Sequence, residues 1–528
     1  MSRRVAAVLL ALGAATLAIA GTAGAKVLRV GSYHGVAGQY RTIQAAVNAA
    51  KPGDWILVGP GDYKTSSSRA PKGHSDFPAG VLMSTRDVYL RGMNRNTVIV
   101  DGTKPGSARC SSQRSAQNFG PKSTKGDEGL NGIMVWKAAD VWVQNLTTCN
   151  FLGGAGDVGN GIWWNGGADS GKVGGHGYLG SYLTATSTYY GGEKTAATYG
   201  IFTSNWSGGT WDQTYASNFN DSGYYIGACQ QVCDQTVNHA WAEFNALGYS
   251  GSNSGGKLVV ENSQFDNNQD GFDTNSQNGD EPSPQNGACS HNAISPITHT
   301  HSCWVFMNNY VHDNNNPNVP SSGGAAAGPV GTGMSLSGAR NDTVMDNRFV
   351  NNDAWGAIVV NYPDSGKPCI GGTVNAPLLG QGSCLYDEWG DSVKDNTFTH
   401  DGGYGNPTNG DFEQLNFESH PSDCFSGNID TSGHLTAVSA ALEQEYPTCT
   451  TGAVKPNLNI PFVNEVLCDS IIKVSGFGCQ PGDHYPHETH IVMHPLPKGL
   501  PTMPKPCAGV PANPWCPTSH KRGNAYKL

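Results

Sequence analysis

Five carboxylates fall within the sixteen residues DNNQDGFDTNSQNGDE, positions 266 to 281: Asp266, Asp270, Asp273, Asp280 and Glu281. If the stretch is a strand with Phe272 and Thr274 turned inward, alternation puts Asp273 and Asn275 on the outer face, with Asp270 at the adjoining turn. Two outward carboxyls close together suit glycoside hydrolysis, in which one protonates the leaving oxygen and the other acts as base or nucleophile. Asp270 and Asp273 are therefore the candidate catalytic pair. The same residues allow a second reading. Asp266-x-Asn268-x-Asp270-Gly271 alternates oxygen ligands before a turn glycine, as a calcium loop does, although Gln277 stands where such a loop closes with Glu. Ca2+ is the cofactor that reading would add. It would bridge an acidic protein to an anionic glycan, and a lyase would then need a base, for which Lys257 lies one short strand upstream. A third reading makes these Asp and Asn residues turn formers and ladder rungs only.

Aromatic residues crowd the first half of the chain. In the adjacent pairs Trp163-Trp164 and Tyr224-Tyr225, strand alternation sends one ring in and one out, so some rings are expected on the surface. A flat ring stacks on a sugar, and these four are the candidate substrate-binding residues. An interior aromatic stack is the competing explanation. His299 and His301 would share a strand face. His484, His487, His490 and His494 cluster late in the chain without the His-Glu-x-x-His spacing of a zinc protease.

The elements that must hold these groups read as a repeat. In TIQAAVNAAKPGDWILVGPGDY, residues 42 to 63, Ile43, Ala46, Val47 and Ala50 form one face of a short helix, and Pro52-Gly53 stops it. Trp55 to Val58 follows as a buried strand. Beyond it, Phe219-Asn220-Asp221-Ser222-Gly223, Phe244-Asn245-Ala246-Leu247-Gly248 and Phe265-Asp266-Asn267-Asn268 recur at 21 to 25 residues. The theme returns around Asn309, Asn347 and Asn396. Such a unit cannot bury its own apolar face. Stacking the units in parallel does, and Asn at equivalent turns can then hydrogen-bond from coil to coil. A helix before the first strand would cover the open sheet end.

The opening segment, followed by YLRGMNRNTVIVDG, resembles the first coil of the pectin-lyase-like superfamily, over residues from about 38 to 430. That resemblance implies an all-β fold, a single-stranded right-handed parallel β-helix with an N-terminal capping helix. It does not imply one activity, because the superfamily holds lyases, hydrolases, epimerases and non-catalytic adhesins. Part of the acidic stretch is similar to the first acidic motif of polygalacturonase-like hydrolases, with Asp270 at the acid's position. No Asp-Asp pair follows one coil later, no Arg-x-Lys element lies downstream, and Gly174-Gly175-His176-Gly177 precedes the acids instead of following them.

Residues 1–25 read as an export signal. Arg3 and Arg4 precede an apolar run from Val5 to Ala20, and Ala23-Gly24-Ala25 is a cleavage site, so secretion with cleavage after Ala25 is expected. Residues 26–440 form the β-helix, and 441–528 a C-terminal cap with a Pro/Cys-rich tail. Losing the two leader arginines takes the formal charge from −10 to −12, which disfavours nucleic acid and anionic membrane as partners. No later stretch approaches the ~20 apolar residues of a membrane span. Fourteen cysteines fall into sequence neighbours, with sequential pairing expected: 110/149, 229/233, 289/303, 369/384, 424/449, 468/479 and 507/516. The expected function is a secreted carbohydrate-active protein, monomeric, with an extracellular polysaccharide as partner, acting as a polysaccharide lyase or glycoside hydrolase. A non-catalytic glycan-binding or adhesion module is the alternative. No wall-anchoring or lipid-attachment signal is evident, so release into the medium is expected.

Overall fold

The computed structural model describes residues 24–518 apart from 66–67, 168–171, 230–231, 278–301, 365–368, 376–380, 416–422, 432, 450–457 and 471. Helix α1 (Ile43–Ala49) begins at Thr42, whose hydroxyl accepts the Ala45 N–H at 3.2 Å. It ends before Gly53, which takes a positive φ of 92°. Its buried face, Ile43, Ala46 and Val47, joins Val30, Ile56 and Val81 in the main core. The expected N-terminal cap is therefore present, at the first coils.

Every strand pairing within the two large sheets of the described residues is parallel. A 10-stranded sheet runs in strict chain order from Ala79–Met83 to Gly410–Gln414, and a 19-stranded sheet carries the other two sides of each coil. Each strand pairs with the equivalent strands of the coils before and after it. This is a parallel β-helix, as the repeat implied.

Register aligns like with like. Along the inner face of the 10-stranded sheet, Ile133 pairs with Ile162, Ile162 with Ile201, Ile201 with Tyr224, Tyr224 with Tyr249 and Tyr249 with Phe272. The Tyr249 and Phe272 rings stack at 4.3 Å. Corners are built from a left-handed residue followed by a ladder residue: Asn267, Asp313, Asn351 and His400 have φ of 53–57°, each preceding a rung. Asn245 donates to Asn268, Asn268 to Asn314, Asn314 to Asn352 and Asn352 to Asp401, at 2.9–3.0 Å. A second ladder runs Asn309, Asn347, Asn396 and Asn428, ending on Glu443 of α2 (Ala437–Glu445), which accepts from Asn428 at 3.1 Å. The last coil thus hands its unpaired donors to a capping helix.

Beyond α2, the helix α3 (Ile460–Asp469) lies on the outer face of the 10-stranded sheet, with Phe462 and Val463 packed on Trp355, Ile358 and Val360. The tail then runs back along the solenoid to its beginning. Val492 N–H bonds the Asn318 carbonyl, His494 N–H bonds Asn218, Met503 N–H bonds Asn145, and Trp515 Nε1 bonds the Val36 carbonyl. Six of the seven expected disulfides are present: 110–149, 229–233, 369–384, 424–449, 468–479 and 507–516. Cys289, in the seventh, lies outside the described residues. No helix among the described residues is long and apolar enough to cross a membrane.

Candidate functional site: a carboxylate groove on the outer sheet face

Strand Asp270–Asn275 puts Phe272 and Thr274 inside and turns Asp273 and Asn275 outward. Asp273 lies between Ser250 and Ser335 in register, and Asn275 between Ser252 and Ser337. These small polar neighbours leave open the floor of a 410 Å3 cavity. The loop through Gly324–Pro329 borders it on one side, and α3 with the segment after it borders the other. Asp221, next to the strand Ser222–Gly227, reaches the same cavity, as do Tyr199, Tyr225 and Tyr362.

The two cavity acids differ in their partners. Asp273 accepts from Asn275 Nδ2 at 2.7 Å and Ser337 Oγ at 2.9 Å. Burial pushes its carboxyl up to about 6, against the lowering effect of those donors. Asp221 accepts from Tyr199 Oη at 3.1 Å, and burial, with Asp273 nearby, pushes it up to about 7. One acid that ionises near 6 and another near 7 make a pair able to divide base and acid roles at mildly acidic to neutral pH.

Asp270 does not join them. It is fully buried, accepting from Ser335 Oγ at 2.8 Å and the Phe272 N–H at 3.2 Å, and the loop lies directly over it. A Cβ placed on Gly328 would stand 3.2 Å from that of Asp270, and Gln269 Nε2 fastens the loop by donating to the Gly328 carbonyl. Burial and the charge of Asp273 hold the Asp270 carboxyl well above the usual range. The expected acid pair is thus corrected. Asp273 lines the groove, whereas Asp270 is fully buried and does not. Asp280 and Glu281 lie outside the described residues.

The calcium set is corrected for a similar reason. Asp266 accepts from Trp241 Nε1 at 2.7 Å and Gln264 Nε2 at 2.9 Å, Asn268 is a ladder rung, and Asp270 faces Ser335, so the three do not share one space. One buried group of ligand-type side chains exists among the described residues. Asp101, Cys110 and Cys149 offer atoms within 4.8 Å of one another. In this structure the two sulfurs are bonded to each other, and Asp101 accepts from Lys64 Nζ at 2.5 Å and the Cys110 N–H at 2.6 Å. A cation there would have to displace Lys64 and find thiolates in place of the bridge.

Of the four aromatic candidates, Trp164 and Tyr224 point into the core and offer no ring to a ligand, a correction that follows from alternation itself. Trp163 faces outward but is 3% exposed, stacked on Phe202 at 4.8 Å. Tyr225, edge-on to Phe202, continues that row into the cavity. His299 and His301 lie outside the described residues. His494 stacks on Phe244 at 3.4 Å as part of the returning tail.

Asp221 and Tyr199 were not singled out from the sequence. Asp221 sits in an Asn-Asp-Ser-Gly turn and reads there as one more repeat residue. Its only signal is its place beside Ser222, whose register runs through Leu247 to Asp270.

The fold is a parallel β-helix, here carrying a carboxylate groove on its outer face. No protein-family model matches the chain. No curated protein matches it in sequence either. Among solved structures, the A-module of the mannuronan C-5 epimerase AlgE6 of Azotobacter vinelandii is 13% identical, covering 74% of this chain and 90% of that one, with a TM-score of 0.44. Pectate lyase Pel9A is 13% identical over 89% and 98% of the two chains, with a TM-score of 0.36. A mannuronic acid specific family 6 polysaccharide lyase from human gut microbiota is 9% identical over 77% and 83%, with a TM-score of 0.38. These likenesses concern the path of the chain.

Proposed function

We propose that the protein is a secreted carbohydrate-active β-helix that hydrolyses a glycosidic bond in its outer-face groove, with Asp221 and Asp273 as the acid pair. The observation that carries this reading is the meeting of two carboxyls, raised to about 7 and about 6, in one 410 Å3 cavity beside Tyr199 and Tyr225. Asp221, protonated to higher pH, serves as general acid to the leaving oxygen. Asp273 serves as general base. Asp221 precedes the strand Ser222–Gly227, and Asp273 lies on a strand two coils later and four residues further along in register, so the two carboxyls approach the cavity from different places on its floor. Lyase chemistry finds less support, because no Lys, Arg or His lines the cavity among the described residues to act as base. Export, as the leader implies, agrees with disulfide-bonded cysteines throughout the fold.

A depolymerisation screen over neutral and acidic polysaccharides tests the proposal, following reducing ends, unsaturated-product absorbance and the anomer released. Activity that falls at least 100-fold in both Asp221→Asn and Asp273→Asn, without unsaturated product, supports hydrolysis. Unsaturated product would make the protein a lyase. Inactivity on every substrate would leave the groove a binding site.

A further inference from the structure

The groove's two sides differ in chemistry. Its floor is polar, with Asp273, Asn275 and the serines at 250, 252, 335 and 337. The wall given by α3 is not: Val463, Val466 and Leu467 face Ile358 and Val360 across the edge of the floor, with Ile472 and Phe477 beyond. Neither side holds a cationic side chain among the described residues. A uronate placed here would bring its own carboxylate beside Asp221 and Asp273 in a partly dehydrated space, with nothing to offset the charge. An uncharged pyranose meets no such cost. Its hydroxyls find donors and acceptors on the floor, and an apolar group attached to it can lie along the wall.

We infer that this groove takes a neutral glycan carrying an apolar substituent, an O-acyl group or an alkyl or aryl aglycone, with the sugar on the serine and carboxylate floor and the substituent against α3. The inference rests on the reading of the groove as a carbohydrate site and adds its substrate class. Polyuronates are then excluded by charge. Each methylene buried on the wall strengthens binding roughly threefold to fourfold, provided it leaves water completely.

Binding to the Asp273→Asn protein separates affinity from turnover. Calorimetry with methyl, butyl and hexyl β-glucosides, and with the matching α-mannosides, gives the aglycone arm. An acetylated oligosaccharide before and after alkaline deacetylation gives the acyl arm, and trigalacturonate the anionic control. The expected result is at least a tenfold rise from methyl to hexyl in one series, or a comparable loss on deacetylation, with trigalacturonate weaker than any neutral probe. Val466→Thr, nearly isosteric, should reduce the gain at least threefold while leaving thermal unfolding in place. A flat alkyl series with no effect of deacetylation, or trigalacturonate binding more tightly than the neutral probes, overturns the inference. Should Asp273→Asn keep its depolymerising activity while the alkyl series rises, hydrolysis by this acid pair fails and the substrate class stands.

Discussion

At Asp221 and Asp273, burial of a carboxyl in the groove comes at the expense of stability above neutral pH. Both carboxyls are more easily protonated in the folded chain than in the unfolded one, where Asp titrates near 3.9. The folded state therefore binds more protons between about pH 4 and 7. The stability these groups contribute is complete below pH 4 and is lost as pH rises through 6 to 7. Asp273→Asn removes the cost of an ionised buried acid, so it should raise the unfolding temperature at pH 8 by roughly 2 °C and change it little at pH 4. Calorimetry at the two pH values checks this, and equal shifts at both would show that the shifted carboxyl is not the cause. The same values place the activity maximum between pH 6 and 7, where Asp273 is ionised and Asp221 still partly protonated. A flat profile from pH 4 to 9 would remove the pair from the mechanism. Asp273 was legible in the sequence because alternation about Phe272 and Thr274 is local. Asp270 was misplaced because the loop that seals it, around Gly328, arrives from 58 residues later in the chain.

At the scale of the element, the corner doublets explain why the repeat could be read at all. Asn267-Asn268, Asn308-Asn309 and Asn351-Asn352 each pair a left-handed residue with a ladder rung. The first Asn tolerates positive φ, and the second satisfies backbone and side-chain groups of neighbouring coils. Substituting an inner rung orphans groups on both sides, whereas substituting the terminal acceptor orphans groups on one side. Asn314→Ala should thus cost about 2–4 kcal/mol and Glu443→Ala about 1–2 kcal/mol in urea unfolding. Comparable losses would mean the ladder is not cooperative along the stack. Helix α3 was harder to foresee. Its apolar residues Phe462, Val463, Val466 and Leu467 follow helical spacing, but nothing local says that they cover an outer sheet face instead of an end.

Over the whole molecule, the tail is what makes the coils from first to last interdependent. A solenoid held only by contacts between neighbouring coils unfolds piecemeal from either end. Here the returning segment bonds coils near residues 318, 218, 145 and 91 in turn, and Cys507–Cys516 closes it beside Trp515, which reaches the N-terminal Val36. Two buried arginines depend on it. Arg91 donates to the Pro506 and Ala508 carbonyls at 3.0 and 2.7 Å, and Arg95 to the Pro501 carbonyl at 3.2 Å. Burial also lowers the Arg95 guanidinium to about 10, so its charge is held by these oxygens and those of the coils. The sequence marked this region only as Pro-rich and cysteine-stapled, since extended chain without a repeat gives no sign of what it lies against. Removing residues 496–528 should take away those acceptors and leave both guanidinium groups short of partners in a dry setting. Amide protection should then fall by at least tenfold around Arg91, Arg95 and Asn145, while the strands from Thr332 to Gln414, far from the cut, keep theirs. Hydrogen exchange on the truncated protein reads this directly. Uniform loss along the whole chain would show that the coils already unfold as one unit. Loss nowhere would show that the tail lies on the solenoid without holding it.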